Sequence, residues 1–225
     1  MERVAILAAY NLEDSIENIV KRTKEFVDVV IVVSDGSHDD TNLKARDAGA
    51  VCLDHTMTRG KGFAVRKGIE FSKHFNPKYI ILMDADGQHL PEEIPTMLSP
   101  LKQGIADSVV GSRIKGKLIT STINKFGNLC LILISFIVTG KFFSDTETGF
   151  RAYKAEKLYS LKLDSIFYEI DSELFLKSIH KGFHIIEVPI TVPKAVPGVT
   201  VLDGIKIGLY KLKLGLGLRL GIYTV

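Results

Sequence analysis

Met83-Asp84-Ala85-Asp86-Gly87-Gln88-His89 sets two carboxylates one residue apart, directly after the apolar run Tyr79-Ile80-Ile81-Leu82-Met83. Such a run reads as a buried parallel strand, so Asp84 and Asp86 emerge at a strand's carboxyl end, the edge where open α/β sheets bind ligands. Two carboxylates this close repel one another unless a cation lies between them. A hard divalent ion accepts one or two protein carboxylates and completes its shell with substrate phosphate oxygens. The spacing therefore points to a metal-bound diphosphate; the alternative is an ordinary polar turn after a strand.

The elements that must position these groups follow an alternating rhythm. Residues 4–9 read as a first strand, followed by a helix that Asn11 caps, with Glu13 and Asp14 in its first turn. Residues 27–33 form a second strand ending in Ser34-Asp35-Gly36-Ser37, and a helix then runs to Gly49. Residues 51–53 are a short third strand, residues 79–83 a fourth and residues 107–111 a fifth, with helices after Gly60-Lys61-Gly62 and from Pro91-Glu92-Glu93. This order predicts a doubly wound, mostly parallel α/β sheet. Beyond it lie an apolar helix over 123–138, a helix over 171–181 and a strand over 185–190, which Pro189 ends or confines to a sheet edge.

Composition narrows the function classes. The 225 residues are 46% hydrophobic and 24% charged, ordinary for a globular protein. A net charge of +3 is too mild to argue a nucleic-acid partner. Its location matters more: after residue 201, Lys206, Lys211, Lys213 and Arg219 face Asp203 alone, so the tail carries as much net charge as the whole chain. Cys52 and Cys130 lie in apolar surroundings without metal-ligand spacing, which favours reduced thiols in a cytoplasmic protein. The ten-residue apolar stretch 129–138 is about half the ~20 residues needed to span a bilayer. The domain reading is therefore residues 1–201 as one domain and 202–225 as a basic apolar extension.

Eight segments then occur in a telling order: Ala9-Tyr10-Asn11, Ser34 through Thr41, Gly60-Lys61-Gly62, Asp84 through His89, Gly111-Ser112-Arg113, Asp145 through Arg151, Tyr168 through Leu174, and Glu187-Val188-Pro189-Ile190. Together they resemble the inverting family 2 glycosyltransferases, in particular the dolichol-phosphate or polyprenyl-phosphate hexosyltransferase branch, over roughly residues 3–200. The resemblance implies a Rossmann-like nucleotide-diphospho-sugar transferase fold. It implies transfer of a hexose from a GDP- or UDP-hexose to a polyprenyl (dolichyl) phosphate, assisted by Mg2+ or Mn2+, at the cytoplasmic face of a membrane.

Residue by residue, the resemblance places the nucleoside against Ala9, Tyr10, Asn11, Asp35 and Gly36, with Asp35 and Glu13 as its acidic contacts. Glu13 reads equally as an acid of a helix's first turn. Lys61, between two glycines that let backbone approach a ligand, joins the donor site. Asp84, Asp86 and Gln88 become metal and phosphate contacts, and His89 a hydrogen-bonding neighbour rather than a ligand. Arg113 and Arg151 become the cations on phosphate oxygens, a task suited to the planar guanidinium fork. Glu169, Asp171 and Glu173 supply a base, with Asp171 the candidate; their alternative is a helix N-terminal acid cluster. A phosphomonoester acceptor is already a dianion above its second pKa of about 6 and needs a base less.

The chain departs from the branch after Pro189, where Lys194 and Thr200 stand for the usual Arg and Ser, and Val201 for a Lys. Two other readings follow: a family 2 transferase acting on a sugar or protein hydroxyl, and a non-catalytic relative that binds nucleotide or membrane. The tail mixes strand period, Leu or Ile at every even position from 212 to 222, with the interfacial helix that the resemblance implies. It reads as a membrane-surface element or as a packed C-terminal element.

Overall fold

The computed structural model describes residues 1–118, 122–193 and 200–225, without the side chains of 117, 118 and 122–126. Lys194 lies outside the described residues.

Seven strands form one sheet: β1 (Arg3–Ala9), β2 (Val29–Asp35), β3 (Val51–His55), β4 (Tyr79–Asp84), β5 (Ser108–Leu118), β6 (Arg151–Lys154) and β7 (Ile185–Val192), in the order β3-β2-β1-β4-β6-β5-β7. All pairings are parallel except those of β6, which runs antiparallel between β4 and β5. The helices are α1 (Ile16–Thr23), α2 (Thr41–Asp47), α3 (Lys61–Ser72), α4 (Ile94–Lys102), α5 (Thr122–Thr139), α6 (Ala155–Tyr159), α7 (Ile170–His180) and α8 (Val201–Arg219).

Strand alternation divides the core into two layers. Ala5 and Leu7 of β1 pack with Ile16, Ile19 and Val20 of α1 and with Ile94, Met97 and Leu98 of α4. Val4 and Ile6, on the opposite face, pack with Ala64, Val65 and Ile69 of α3 and with Ile170 and Leu174 of α7. A central strand covered on both faces has to be apolar at every position, which is why residues 4–7 show no alternation. The doubly wound, mostly parallel reading is the observed architecture, and β7 with Pro189 lies at the sheet edge.

One expectation needs correction. Asn11 does not cap α1. It adopts a left-handed φ of 51°, and its Oδ1 accepts the His38 backbone N–H at 3.0 Å, tying the loop after β1 to the loop after β2. α1 starts later, behind Ser15, whose hydroxyl donates to the Ala85 carbonyl at 2.9 Å. The short β6 carries no signal in the sequence, because four residues show no measurable period. The last ambiguity is the tail, which is helical. Ile207, Lys211, Leu214 and Leu218 face inward at helical spacing, against α5 and α7.

The glycines of that helix explain why strand period misled. A Cβ on Gly215 would lie 2.5 Å from the Cβ of Val138, so the glycine lets α8 and α5 approach closely. An interior glycine costs about 1 kcal/mol of helix propensity. Burying a Leu or Ile contributes about 1.5–3 kcal/mol each, so Ile207, Leu214 and Leu218 outweigh it.

Candidate active site

Register alone brings the first group of residues together. Ala8 pairs with Asp84 and Ala9 with Ser34, so the loops after β1, β2 and β4 open on one edge of the sheet. The antiparallel β6 begins at that same edge, with Arg151 opposite both Leu82 and Val110. Arg113 follows β5's pairing with β6, two residues after Gly111.

Lys61, the first residue of α3, ties the edge to α7. Its ammonium lies 2.8 Å from Asp84 Oδ1 and 3.0 Å from Asp171 Oδ2. Burial works against the cation, yet the two carboxylates outweigh it and hold the Lys61 pKa above the ordinary lysine value. Asp84 feels the same burial in the opposite sense, but the charges of Lys61, foremost, and Arg113 bring its carboxyl down to about 2. One ammonium cannot fully serve two carboxylates. Asp171, the less exposed of the pair, is pushed above the usual range, chiefly by burial and also by the Asp84 charge.

The glycines flanking Lys61 have a different task from the expected one. A Cβ on Gly62 would come within 2.6 Å of the Ser165 carbonyl oxygen, and one on Gly60 within 2.6 Å of that of Ile166. They admit the 165–167 loop against the start of α3 rather than a ligand, and Phe63 N–H seals the contact by donating to the Ile166 carbonyl at 2.9 Å.

Asp86 accepts from the Gln88 backbone N–H at 2.9 Å and from Gln88 Nε2 at 2.6 Å. Gln88 thus fixes the Asp86 carboxylate and leaves lone pairs open on it. Among the described residues, no group of three or more His, Cys, Asp or Glu is placed to hold a metal by itself. Asp84 and Asp86 fit a cation that takes one or two carboxylates and draws its remaining oxygens from substrate. His89 Nδ1 accepts the Asp84 backbone N–H at 3.0 Å, and its ring stacks on Phe150. Burial lowers the His89 pKa, consistent with a neutral ring accepting at Nδ1.

The two arginines differ. Arg113 grips Asp145 with its fork, Nε to Oδ2 at 2.7 Å and Nη2 to Oδ1 at 2.9 Å, and its backbone N–H donates to the same carboxylate. Arg151 is 0% exposed; Nε donates to the Thr148 carbonyl at 3.0 Å and Nη2 to that of Thr146 at 2.7 Å. Only its buried Nη1 has no partner.

Other candidates sit as follows. Both Asp35 oxygens accept backbone N–H groups, from Arg59 and, at 2.6 Å, from Gly60, so Asp35 braces the loop that leads into α3. Glu13 is half-buried beside the turn at Asp40, 3.9 Å from Lys44, and does not belong to the first turn of α1. Tyr10 is 48% exposed beside Asn11 at the same edge. The acid cluster separates: Glu173 accepts the amides of Asp164 and Ser165 and pairs with Lys177 at 2.8 Å, while Glu169 lines an open cleft with Phe167, Tyr168 and Lys206. Thr200 caps α8 by accepting from the Asp203 N–H, and Val201 begins that helix, 67% exposed.

Sequence reasoning missed the supports. Glu187 accepts the backbone N–H groups of Ser144 and Asp145 at 2.7 and 3.0 Å and so aims Asp145 at Arg113. The motifs marked both segments but gave no partner. Lys211, one of the four cations of the tail, is buried and pairs with Glu147.

Known proteins agree with this architecture. The model of "Glycosyl transferase family 2" matches residues 4–161. A UDP-N-acetylglucosamine–dolichyl-phosphate N-acetylglucosaminyltransferase of Methanococcus voltae is 30% identical, over 94% of this chain and 95% of its own. A polyprenol monophosphomannose synthase of Mycolicibacterium smegmatis is also 30% identical, over 89% and 81%. Glucosyl-3-phosphoglycerate synthase from Mycobacterium tuberculosis, in a crystal structure with Mn2+, UDP and phosphoglyceric acid, superimposes with a TM-score of 0.76 at 20% identity, covering 99% of this chain and 80% of that one; at that identity the likeness shows the shared fold. Sheet order, motif order and whole-length similarity converge, and the chain belongs to glycosyl transferase family 2.

Proposed function

We propose that this transferase moves a hexose from a nucleoside-diphosphate sugar to a polyprenyl or dolichyl phosphate in one inverting displacement. The observation that carries the reading is the Lys61–Asp84 pair at the carboxyl edge of the sheet, beside Asp86 and near Arg113, which is anchored on Asp145. Relatives that align along most of the chain, one named for transfer to dolichyl phosphate and one for polyprenol monophosphomannose synthesis, support the acceptor class.

In this reading the loops after β1 and β2 hold the nucleoside through Ala9, Tyr10, Asn11, Glu13, Asp35 and Gly36. Asp86, fixed by Gln88, and Asp84 would hold Mg2+ or Mn2+, which when bound supplies positive charge to the diphosphate as it leaves. Arg113 and Arg151 add fixed positive charge where the leaving group gains negative charge. Lys61 keeps Asp84 ionised and aligned. The acceptor brings its own nucleophile, because a phosphate dianion needs no proton removed.

The acceptor's lipid tail places the reaction at a membrane surface. No helix among the described residues is long and apolar enough to cross a membrane. Docking falls to the outer face of α8, where Leu202, Ile205, Leu209 and Leu216 are exposed with Lys206, Lys213 and Arg219. Basic residues near an anionic leaflet contribute about 1 kcal/mol each. We assign this docking to the cytoplasmic face, where nucleotide sugars and anionic lipids meet.

One observation favours a second reading, a sugar or protein hydroxyl as acceptor. Asp171 is buried at the site with a raised pKa, as a general base would be. Asp171→Asn separates the two. A lipid-phosphate acceptor predicts turnover within about tenfold of wild type; a loss of several orders of magnitude with donor binding intact selects the hydroxyl acceptor. The donor half is tested by calorimetry of GDP and UDP with and without Mn2+. Metal-enhanced binding of one nucleotide, abolished in Asp86→Ala, is expected; binding unchanged by the metal or by the substitution refutes it.

A further inference from the structure

α8 has two faces of opposite character. Its outer cations Lys206, Lys213 and Arg219 are exposed, whereas Lys211 on the inner face is 0% exposed. The Lys211 ammonium donates to the Glu147 carboxylate, to Ser135 Oγ at 2.6 Å, to Thr146 Oγ1 at 2.7 Å and, at 3.3 Å, to the Leu131 carbonyl. An ammonium has three donors, so these acceptors saturate it. Burying a charge is costly unless it is paired and fully hydrogen-bonded, and a methionine or leucine would pack α8 on α5 without that cost. Packing alone does not account for a lysine here.

What the charge reaches is the site. The second oxygen of Glu147 accepts from Ser172 Oγ at 2.8 Å, and Ser172 follows Asp171. The Thr146 carbonyl accepts Nη2 of Arg151 at 2.7 Å. The Glu147 backbone N–H donates to Asp145 Oδ1 at 3.3 Å, the carboxylate that grips Arg113. One buried ammonium thus joins α5, the start of α7 and the loop that ends in Arg151 and grips Arg113 of β5 through Asp145.

We infer that Lys211 is a positioning residue for the 145–151 loop, so that α8 is part of the transferase site and not a detachable tail. Its consequence for catalysis rests on the reading of Arg113 and Arg151 as phosphate contacts. Deleting the tail would consequently disturb the donor site together with any docking.

The test is hydrogen exchange on the full-length chain, comparing wild type, Lys211→Met, the charge-balanced Lys211→Met/Glu147→Gln and Leu214→Ala. The double variant is included because the single one leaves Glu147 nearly buried and unpaired. Leu214→Ala removes packing from the same face of α8 without touching the ammonium. We expect amides of residues 144–151 to exchange at least tenfold faster in both Lys211 variants, those of β1 and β4 to be unchanged, and Leu214→Ala to leave 144–151 within twofold of wild type. Wild-type protection of the loop in the double variant, or equal loosening in Leu214→Ala, overturns the inference. Exchange is read without substrate, so the result does not depend on the donor or acceptor. Affinity for Mn2+ and UDP or GDP, measured on the same proteins, should fall at least tenfold in the Lys211 variants. A loosened loop with unchanged nucleotide affinity upholds the positioning and refutes the arginines as phosphate contacts.

Discussion

Lys61 and Asp171, 110 residues apart in sequence, meet at 3.0 Å and join the first turns of α3 and α7 across the mouth of the site. The same ammonium holds Asp84 at 2.8 Å, so one cation stands between two carboxylates brought in from β4 and α7.

Removing that cation should be costly. Lys61→Met leaves Asp84 and Asp171 facing each other without a counter-ion, and breaking a mostly buried pair costs about 3 kcal/mol. Denaturant unfolding should show that loss, and a second change, Asp171→Asn, should recover much of it. A loss below about 1 kcal/mol would mean that the ammonium does not hold the two helices together.

The depressed pKa of Asp84 makes a prediction about acid. Its carboxyl lies near 2 in the folded protein and near 3.9 in the unfolded chain, so folding favours the ionised form. The contribution is present above pH ~4 and is lost as pH falls through about 2; by linkage it amounts to about 2 kcal/mol. Asp145, lowered by Arg113 against its own burial, loses stability in the same direction. Unfolding free energies measured from pH 6 down to pH 2 should fall less steeply in Asp84→Asn than in wild type. Parallel curves would show that the shift is absent.

Arg113→Lys tests the fork. Lysine keeps the charge but cannot reproduce the paired contacts of Nε and Nη2 with Asp145. Turnover should drop at least tenfold and the thermal midpoint should fall, since the fork holds the buried Asp145. Arg151→Lys should also lower the midpoint, because the Thr146 and Thr148 carbonyls share that buried guanidinium. Wild-type turnover in Arg113→Lys would make Arg113 a loop anchor only.

Membrane docking is best probed on the outer face of α8. Leu209→Glu with Leu216→Glu places charge at two exposed positions while Lys211, Leu214 and Leu218 keep their contacts. Co-sedimentation with anionic liposomes should be lost and the thermal midpoint retained. Sedimentation equal to wild type would remove α8 from the docking surface.

Much was legible in the sequence because its signals are local. The apolar runs of β1, β2 and β4 have to be buried on both faces, so their length and lack of alternation announce a parallel sheet. Once such a sheet is granted, the residues after each strand share one edge, and the order of Asn11, Asp35 and Asp84 follows without coordinates. Asp86 beside Gln88 is likewise a contact between residues two apart.

What only the tertiary structure decided is how the distant charges pair. Lys211 looks like any surface lysine in sequence, and the glycines around Lys61 mark it without naming its partners, since the pairing of a cation depends on which carboxylate the fold brings within about 3 Å, not on its neighbours in the chain. The helix packing that buries Lys211 and lets Gly215 meet Val138 turned an apparent strand period into a helical face. The insertion of β6 beside β4 carried Arg151 to the floor of the site, where backbone carbonyls claim two of its three nitrogens. Local sequence determined the sheet and its edge; long-range packing determined which charges on that edge are held and which remain free to bind.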